Sequence, residues 1–552
     1  MQITRRTFAA GALGAVVSAR LAGPAFAQAA PNLAAAIDAI RAHGEQHLRA
    51  LGLPGMTLGL TAPNGFQTIL DFGFANRDSR APITPDTLFQ IGSISKAMTA
   101  TVIHQLAAEG RLRLSDRVSA ILPAVPLPRN NAITVQHLLD HTSGLADSAP
   151  MFAEGGLWTG FAPGAHWHYS NTGYDILGKI AEHAGRTPLA ALMADRVFRP
   201  LGMTRSRGAI VAADRLRYAQ GYEPADMSMP FTRGAPLAPA AWVDVTFGAG
   251  CVASTAADMI RWMRDVANAA AGRGGLGLGP AQAKAFTTHS VPSDSPAMRY
   301  GNGLMLVGGG GRSHLHHTGG MVSFSSSFHV DTATGIGAFA SSTLSAFGEY
   351  RPRVLTQYAV AALGEALAGR PVPAPPSLDF PVADPGAFVG AYQGPGGAFE
   401  VRRGNPLTLV ANGREAPLQA WSENLFRTTH PDYRAFSLMF ARSGSAVVGA
   451  HWGPQSFVRQ GAAMAIPSSD PALARLAGRY VNDSPWWVPA IVVERGGKLW
   501  LGTETPLLRA GPNIWRVGEE SWTPERASFA DFIDGRPQTF ILSANPFQRH
   551  DV

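Results

Sequence analysis

The sequence predicts a protein of the α/β (α+β) class, in which an antiparallel sheet flanked by helices, with a helical subdomain, precedes two small antiparallel β-barrels. Three observations lead to this prediction. Strand-like patterns lie at both ends of a long region whose middle is helical. A proline-rich run then interrupts the chain, and the sequence after it repeats itself once.

The first region begins and ends with strand patterns. Residues 55–76 alternate apolar and polar side chains around Pro63-Asn64-Gly65, which predicts a β-hairpin. Helical patterns dominate residues 93–263 and return at 353–367. Between them lie four strand-like segments, at 304–307, 314–318, 323–330 and 336–342. The simplest arrangement is one antiparallel sheet built from both ends of this region, with helices inserted between them.

The run from Pro371 to Pro376 predicts a linker, because it cannot continue a helix or a central strand. Beyond it, the two halves of the chain share aromatic and turn residues at equivalent positions. The matching pairs include Gly390-x-Tyr392 with Gly478-x-Tyr480, Arg403-Gly404 with Arg495-Gly496, Arg434-Ala435 with Arg526-Ala527, and Phe457-x-Arg459 with Phe547-x-Arg549. Two small barrels are the favoured interpretation, and one larger β-domain is the alternative.

These boundaries divide the chain into five parts. They are a targeting segment at 1–27, a first domain at 28–370, a linker at 371–383, and barrels at 384–465 and 466–552. The first part carries a twin-arginine pattern (Thr4 to Phe8), an apolar stretch and a small-residue cleavage site (Ala25 to Ala27). We therefore expect a periplasmic or secreted protein exported by the twin-arginine route, with an uncleaved membrane anchor as the alternative.

Composition argues against several functions. The net charge of +7 comes mainly from arginines dispersed along the chain, which is a poor basis for nucleic-acid binding. No segment beyond the targeting part offers the roughly 18 uncharged apolar residues of a membrane helix, so no stable membrane span is expected. The single cysteine, Cys251, stands among small apolar residues, which predicts a buried structural thiol.

Ser93 and Lys96 form the first candidate catalytic pair. They open an apolar helical stretch, and residues three apart share a helix face, which places the ammonium beside the hydroxyl. A serine becomes a nucleophile when a neighbouring base takes its proton, and lysine serves when its pKa is lowered. The alternative for an isolated S-x-x-K is an N-capping serine beside a solvated lysine.

Tyr169 and Asn171 form the second candidate element, just before a helical pattern. A phenol near the nucleophile can carry a proton to the leaving group, and an amide can orient the lysine and bind a substrate carbonyl. Taken alone, the pattern fits a packing tyrosine and a helix-capping asparagine equally well.

The third candidate element is His317-Thr318-Gly319-Gly320 in the strand-rich region. A strand edge without bulky side chains lets a substrate backbone approach, and the N–H of Gly320 would complete an oxyanion hole with that of Ser93. We expect His317 to face the cleft, the alternative being an edge-strand histidine. A zinc site is not expected, because His314 and His316 share the strand face opposite His317.

With these three motifs in order, the chain resembles the family of class C β-lactamases, D-alanyl-D-alanine carboxypeptidases and related esterases. The resemblance extends to the flanking stretches 133–145 and 248–259 and covers about residues 33–366. It implies a β-lactamase-like fold and a serine acyl-enzyme mechanism. In that mechanism Ser93, Lys96 and Tyr169 are catalytic, and Asn171 and residues 317–320 contact the substrate.

One departure from the resemblance concerns the substrate. His317 stands where the lactamases carry lysine, and histidine is largely neutral at pH 7, which argues against strong lactamase or carboxypeptidase activity. This variant, joined to two barrels, is similar to the D-aminopeptidases, in which a loop of the last domain meets the substrate amine. The acidic candidates for such a loop are Asp483, Asp531 and Asp534, each of which also fits an ordinary turn.

The expected function is hydrolysis of small amides or peptides, including those with D-residues, through an acyl-enzyme on Ser93. A carboxylesterase or weak β-lactamase of the same fold is the alternative, and a non-catalytic penicillin-binding sensor or cell-wall binder is the alternative of another class. We expect no cofactor and no metal, a small amide, peptide or ester as partner, and no nucleic acid, and a homodimer is the candidate assembly.

Overall fold

A nine-stranded antiparallel sheet forms the centre of the first domain in the computed structural model, which describes residues 18–21, 31–128, 132–309, 312–345, 352–466 and 468–550. The strands of this domain are β1 (Ser18–Leu21), β2 (Gly55–Thr61), β3 (Gln67–Gly73), β4 (Phe89–Gln90), β5 (Tyr222–Pro224), β6 (Leu237–Pro239), β7 (Ala253–Ser254), β8 (Val291–Pro292), β9 (Met298–Gly301), β10 (Leu304–Gly309), β11 (Arg312–Gly320), β12 (Ser325–Asp331) and β13 (Gly337–Ser342).

The sheet order is β1-β3-β2-β13-β12-β11-β10-β9-β8, so the two ends of the domain meet where β13 pairs with β2. This confirms the predicted sheet. The hairpin between β2 and β3 turns at Asn64 and Gly65, which have φ of 62° and 81°. The edge strand β1 lies inside the predicted targeting segment, most of which is outside the described residues.

The helices of the first domain cover both faces of the sheet. They are α1 (Pro31–Leu51), α2 (Ser95–Ala108), α3 (Val118–Ile121), α4 (Val135–Leu139), α5 (Asn171–Gly185), α6 (Leu189–Met193), α7 (Ala256–Ala270), α8 (Pro280–Thr288) and α9 (Arg353–Leu367). The α1–α9 pair buries one core with alternate residues of the central strands, such as Leu58 and Leu60. The opposite face packs on α7 and on a larger core that extends into the helical subdomain.

Two closed eight-stranded antiparallel barrels follow, as predicted. The first contains β14 (Gly390–Gly394), β15 (Gly397–Arg402), β16 (Thr408–Ala411), β17 (Arg414–Ala420), β18 (Leu425–Thr428), β19 (Leu438–Ser443), β20 (Ala446–Trp452) and β21 (Gln455–Arg459). After the short helix α10 (Pro471–Ala474), the second contains β22 (Gly478–Val481), β23 (Ala490–Arg495), β24 (Lys498–Leu501), β25 (Thr505–Gly511), β26 (Ile514–Val517), β27 (Arg526–Ile533), β28 (Arg536–Leu542) and β29 (Asn545–Arg549).

The sequence repeat corresponds to the way each barrel closes. In the first barrel Tyr392 of β14 pairs with Arg459 of β21, and in the second Tyr480 of β22 pairs with Arg549 of β29. Each tyrosine is fully buried, and its hydroxyl donates to a backbone carbonyl four residues earlier, at 2.7 and 2.8 Å. The repeated tyrosine and arginine therefore join the first and last strand of each copy.

None of the helices in the described part of the chain combines the length and the apolar character that crossing a membrane requires. Within the same residues, no group of three or more histidine, cysteine, aspartate or glutamate side chains is arranged to hold a metal ion.

A buried histidine pair makes the stability of the first domain depend on pH. His316 and His329 stack with ring centroids 4.0 Å apart, and burial lowers the pKa of His316 to about 4. The unfolded chain therefore binds a proton at a higher pH than the folded chain does. This stabilising contribution is present above pH 6.5 and is lost as the pH falls towards 4, by about 2 kcal/mol for His316 between pH 7 and 5.

We expect His316→Gln to remove that part of the acid destabilisation. The measurement is urea unfolding at pH 7 and pH 5, followed by a signal of the first domain. The control is His183→Gln, since His183 is exposed on α5. Equal pH dependence in wild type and His316→Gln would contradict the prediction.

Candidate active site

Ser93 lies beside the amine of Lys96 at the start of α2. Ser93 is in a 3₁₀ turn, Gly92–Ile94, and Lys96 is in the first turn of the helix that follows. The distance from Lys96 Nζ to Ser93 Oγ is 3.0 Å. Ser93 is half-buried and Lys96 is completely buried. The hydroxyl is thus open to a substrate while its neighbouring base is shielded from water.

Two further acceptors fix the amine of Lys96. Nζ donates to Oδ1 of Asn171 at 2.6 Å and to the carbonyl of Ala249 at 3.0 Å. A neutral amine has two N–H groups and one lone pair. Since both donors are used by Asn171 and Ala249, the lone pair is left to accept the proton of Ser93. This arrangement is the one required of a general base.

Burial tunes Lys96 for this role. Removal from water is the largest effect on the amine and lowers the pKa of Lys96 to about 7, while Asp175 and Asp147 oppose the shift. Neither carboxylate is a hydrogen-bond partner of the amine. Asp147 Oδ1 accepts from Nδ2 of Asn171 at 2.9 Å, and Asp175 Oδ1 accepts from the N–H of Ala249 at 3.1 Å. The amine is therefore neutral in a large fraction of molecules at pH 7.

The helix that carries Asn171 begins with a cap supplied by its neighbour. Ser170 is the N-cap of α5, and its Oγ accepts from the N–H of Gly173 at 3.0 Å. Because Ser170 makes this bond, the amide of Asn171 is available to Lys96. The structure thus separates the two roles that the sequence left open for this asparagine.

The ring of Tyr169 lies against the same amine, with its centroid 4.8 Å from Lys96 Nζ. His141 holds the backbone of this segment. Its Nδ1 accepts from the N–H of Ser170 at 3.1 Å, and its carbonyl accepts from the N–H of His168 at 2.8 Å. The His141 ring also packs on that of Tyr169, with centroids 4.3 Å apart. Tyr169 and Asn171 are thereby presented together on one side of Lys96.

Strand β11 passes directly over the Ser93 turn, and the contact requires glycine on both sides. A Cβ on Gly319 would lie 1.9 Å from the carbonyl oxygen of Ile91. A Cβ on Gly92, whose φ is +55°, would lie 2.8 Å from the backbone nitrogen of Gly320. The backbone of Gly320 therefore lies next to that of Ser93, as an oxyanion hole made of their two N–H groups requires.

The structure places His317 beside the site, with its ring centroid 6.4 Å from that of Tyr169, but in a buried position. Its side chain is buried, with a residue exposure of 1%. The Nδ1–H donates to the carbonyl of Thr318 at 2.6 Å, and Nε2 accepts from the hydroxyl of Tyr300 at 3.2 Å. Burial and the nearby Lys96 lower the pKa of His317 to about 3. It is a neutral, fully bonded ring that offers a substrate no positive charge.

A loop of the second barrel reaches the first domain beside this site. Residues 518–525, between β26 and β27, carry Glu525, whose Oε1 accepts from the N–H of Asp147 at 2.7 Å and from His168 Nε2 at 2.9 Å. The three acidic residues suggested by the sequence lie elsewhere. Asp531 bonds to Thr539 within the barrel, Asp534 is in the turn after β27, and Asp483 is exposed.

Sequence reasoning missed three carboxylates near the site: Asp147, Asp175 and Glu525. A signal existed for Asp175, because it stands four residues after Asn171 and so shares its helix face. For Asp147 the signal was its place two residues after the stretch at 133–145 that resembles the family. Glu525 gave no signal, since it is 378 residues from its partner Asp147 and follows a turn of the barrel.

A family model described as Beta-lactamase matches residues 36–363, more than half of the chain, and the protein belongs to that family. The chain spans about half the length of the curated relatives it matches. Esterase EstB of Burkholderia gladioli is 32% identical over 238 residues, which are 38% of this chain and 59% of the esterase.

Two solved structures share the fold. The octameric penicillin-binding protein homologue of Pyrococcus abyssi has a TM-score of 0.55 at 21% identity, covering 77% of this chain and 100% of that one. D-amino acid amidase of Ochrobactrum anthropi SV3, solved with D-phenylalanine, has a TM-score of 0.51 at 23% identity, covering 61% of this chain and 99% of that one. At these identities the likeness concerns the fold alone.

We expect Gly319→Ala to slow the reaction of Ser93 with a fluorophosphonate probe by about 100-fold, because the added methyl group displaces β11 from the Ser93 turn. The measurement is the labelling rate by mass spectrometry. The control is Gly308→Ala on the adjacent strand β10, where a Cβ would meet nothing within 4 Å. Labelling of Gly319→Ala at the wild-type rate would show that the reaction does not need the close approach of β11 to the Ser93 turn.

We expect Asp175→Asn to move the acid limb of Ser93 labelling to lower pH by about one unit, since removing the carboxylate lowers the pKa of Lys96 further. The asparagine keeps an acceptor for the N–H of Ala249. The measurement is labelling rate against pH. The control is Glu182→Gln on the same helix. If the acid limb of Asp175→Asn stayed at the wild-type pH or moved to higher pH, the assignment of this limb to Lys96 would be contradicted.

Proposed function

We propose that this protein is a serine hydrolase that forms an acyl-enzyme on Ser93 and cleaves small amides or short peptides, with D-amino-acid amides as the preferred class. The observation that carries the proposal is the 3.0 Å approach of a completely buried lysine amine, with a pKa of about 7, to a half-buried serine hydroxyl. A lysine placed for structural reasons alone would reach solvent or a carboxylate.

Acylation begins when Lys96 Nζ takes the proton of Ser93 and the Oγ attacks the substrate carbonyl carbon. The negative charge that develops on the carbonyl oxygen is stabilised by the N–H groups of Ser93 and Gly320. The C–N bond then breaks, and the proton taken by Lys96 passes by way of the Tyr169 hydroxyl to the departing amine. Asn171 holds Lys96 in place through Oδ1 during these transfers.

Deacylation reverses the proton path with water as the nucleophile. A water molecule gives its proton to the Tyr169–Lys96 pair and attacks the ester carbonyl, and the proton returns to Ser93 Oγ as the acid leaves. The same machinery hydrolyses esters, which have a better leaving group than amides. The likeness to an esterase over 238 residues makes ester hydrolysis the second candidate.

The charges around the site support an amine-bearing substrate over one that ends in a carboxylate. His317 is neutral at pH 7 and already bonded at both ring nitrogens. Behind Asn171, as seen from Lys96, lie the carboxyl groups of Asp147 and Glu525. A substrate carboxylate would meet no compensating charge at His317, whereas an ammonium group is attracted by the acidic side. The twin-arginine pattern supports a location of this reaction outside the cytoplasm.

The proposal is tested by mass spectrometry and turnover with four probes: D-alanine p-nitroanilide, its L-enantiomer, p-nitrophenyl acetate and a penicillin. We expect turnover of the D-anilide and of the acetate, at least tenfold less of the L-anilide, and an adduct confined to Ser93. The control is Ser93→Ala, in which both adduct and turnover are lost.

Three other outcomes would reject the proposal in different ways. Turnover of the ester but of neither anilide would indicate an esterase. A long-lived penicillin adduct without turnover of any probe would indicate a penicillin-binding sensor. Equal activity of wild type and Ser93→Ala would remove Ser93 from the reaction.

A further inference from the structure

The carboxylate of Glu525 is held in the interface between the second barrel and the first domain. Oε1 accepts from the N–H of Asp147 and from His168, and Oε2 accepts from the hydroxyl of Ser543 in the barrel. The side chains of Glu525 and His168 are each 21% exposed. Glu525 therefore joins its own barrel, through Ser543, to the backbone of the first domain at Asp147.

The contact at Asp147 continues to the catalytic lysine. Oδ1 of Asp147 accepts from the side-chain amide of Asn171 at 2.9 Å and from its backbone N–H at 3.3 Å. This orients the Asn171 amide so that its oxygen faces Lys96 Nζ at 2.6 Å. An amide rotated by half a turn would present N–H groups to the amine instead. The orientation of Asn171 thus depends on the place of Asp147.

The loop that carries Glu525 is anchored by neighbouring contacts. The indole of Trp522 stacks on the His166 ring, with centroids 4.6 Å apart and 5° between the planes. The indole N–H of Trp158 donates to the carbonyl of Pro524 at 2.7 Å. A Cβ on Gly160 would lie 2.3 Å from the carbonyl oxygen of Trp522, so the two backbones are in direct contact. The barrel is docked here through backbone as well as side chains.

The internal repeat shows that this contact is particular to the second copy. The strand pairing sets the register of the two copies: Phe426 pairs with Leu438 where Trp515 pairs with Ala527, so Phe436 occupies the position of Glu525 in the first copy, three residues from the match of Arg434 with Arg526 in the sequence. The ring of Phe436 packs on that of Trp452 in the same barrel, with centroids 5.2 Å apart. At one position of the repeat, therefore, the first copy supports its own barrel and the second contacts the other domain.

We propose that Glu525 is a positioning residue for the reaction at Ser93, acting through Asp147 and Asn171 to hold the lysine amine in place, so that the second barrel is part of the functional site. This inference rests on the proposed function only for the identity of the reaction. The contacts themselves concern the activation of Ser93, whatever its substrate.

Electrostatics add an effect with a defined sign. Burial raises the pKa of Asp147, and the negative charge of Glu525 raises it further. Asp147 is therefore less completely ionised, and Lys96 has less negative charge near it. Burial opposes ionisation of Glu525 itself, but hydrogen bonds from His168, Ser543 and Asp147 outweigh it and lower the pKa of Glu525. The other titratable groups around Lys96 are Asp175, Tyr169, Tyr174, His141, His317 and Cys251. Loss of the Glu525 charge should favour ionised Asp147 and protonated Lys96.

The test compares Glu525→Gln and Glu525→Ala with Glu494→Gln in the full-length protein. Glu494 is a matched control in the same barrel, because its carboxylate accepts from two backbone N–H groups and the Ser469 hydroxyl, all within that barrel. The first readout is the rate at which a fluorophosphonate labels Ser93, as a function of pH. The second is hydrolysis of D-alanine p-nitroanilide, and thermal unfolding reports whether each variant is folded.

We expect both Glu525 variants to label about 10- to 100-fold more slowly at pH 7. The acid limb of Glu525→Gln should move to higher pH, opposite to the shift expected for Asp175→Asn. Glu494→Gln should label like wild type even where its unfolding temperature is lower. The positioning role would be overturned if Glu525→Gln labelled at the wild-type rate with the wild-type pH profile. It would also be overturned if Glu494→Gln lost as much labelling rate as the Glu525 variants. If the wild-type protein is labelled at Ser93 but does not hydrolyse the anilide, the proposed substrate is rejected instead.

Discussion

The structure depends on a lysine amine that is removed from water without a carboxylate in direct contact. An ammonium group in such a place is costly, and the cost appears as the lowered pKa of Lys96. The two nearby carboxylates are each separated from the amine by one intervening group, the Asn171 amide for Asp147 and the Ala249 peptide for Asp175. A direct ion pair would keep Lys96 protonated and Ser93 inactive.

The packing around the Ser93 turn follows from the same requirement. Helix α2 is tied to residues 248–252, since Thr99 donates to the Gly248 carbonyl and Ser95 accepts from the N–H of Val252. Strand β11 closes the other side at a distance that only glycine allows. The amine is therefore enclosed by this backbone together with Asn171 and the rings of Tyr169 and Tyr174, which excludes water while leaving the serine hydroxyl exposed to the cleft.

The two barrels are copies of one repeated unit, but they contact the first domain in different ways. Their strand order, aromatic cores and closing tyrosine–arginine pairs are the same. The first barrel contacts residues 231–233 of the first domain through Gln419 and Arg427. The second inserts its 518–525 loop beside Asp147 and His168. Strand geometry is preserved because it closes each barrel, whereas loop residues are free to differ.

The sequence by itself determined the fold class, the two barrels and the residues brought together at Ser93. Strand alternation, the repeat and the three-residue spacing of Ser93 and Lys96 are patterns readable from one chain, and the resemblance to the family implied that Tyr169, Asn171 and residues 317–320 join them. Only the tertiary structure decided that His317 is buried and neutral, that Asp147 and Asp175 adjust Lys96, and that Glu525 reaches this site. These properties depend on burial and on contacts between residues far apart in the chain, which no periodicity records.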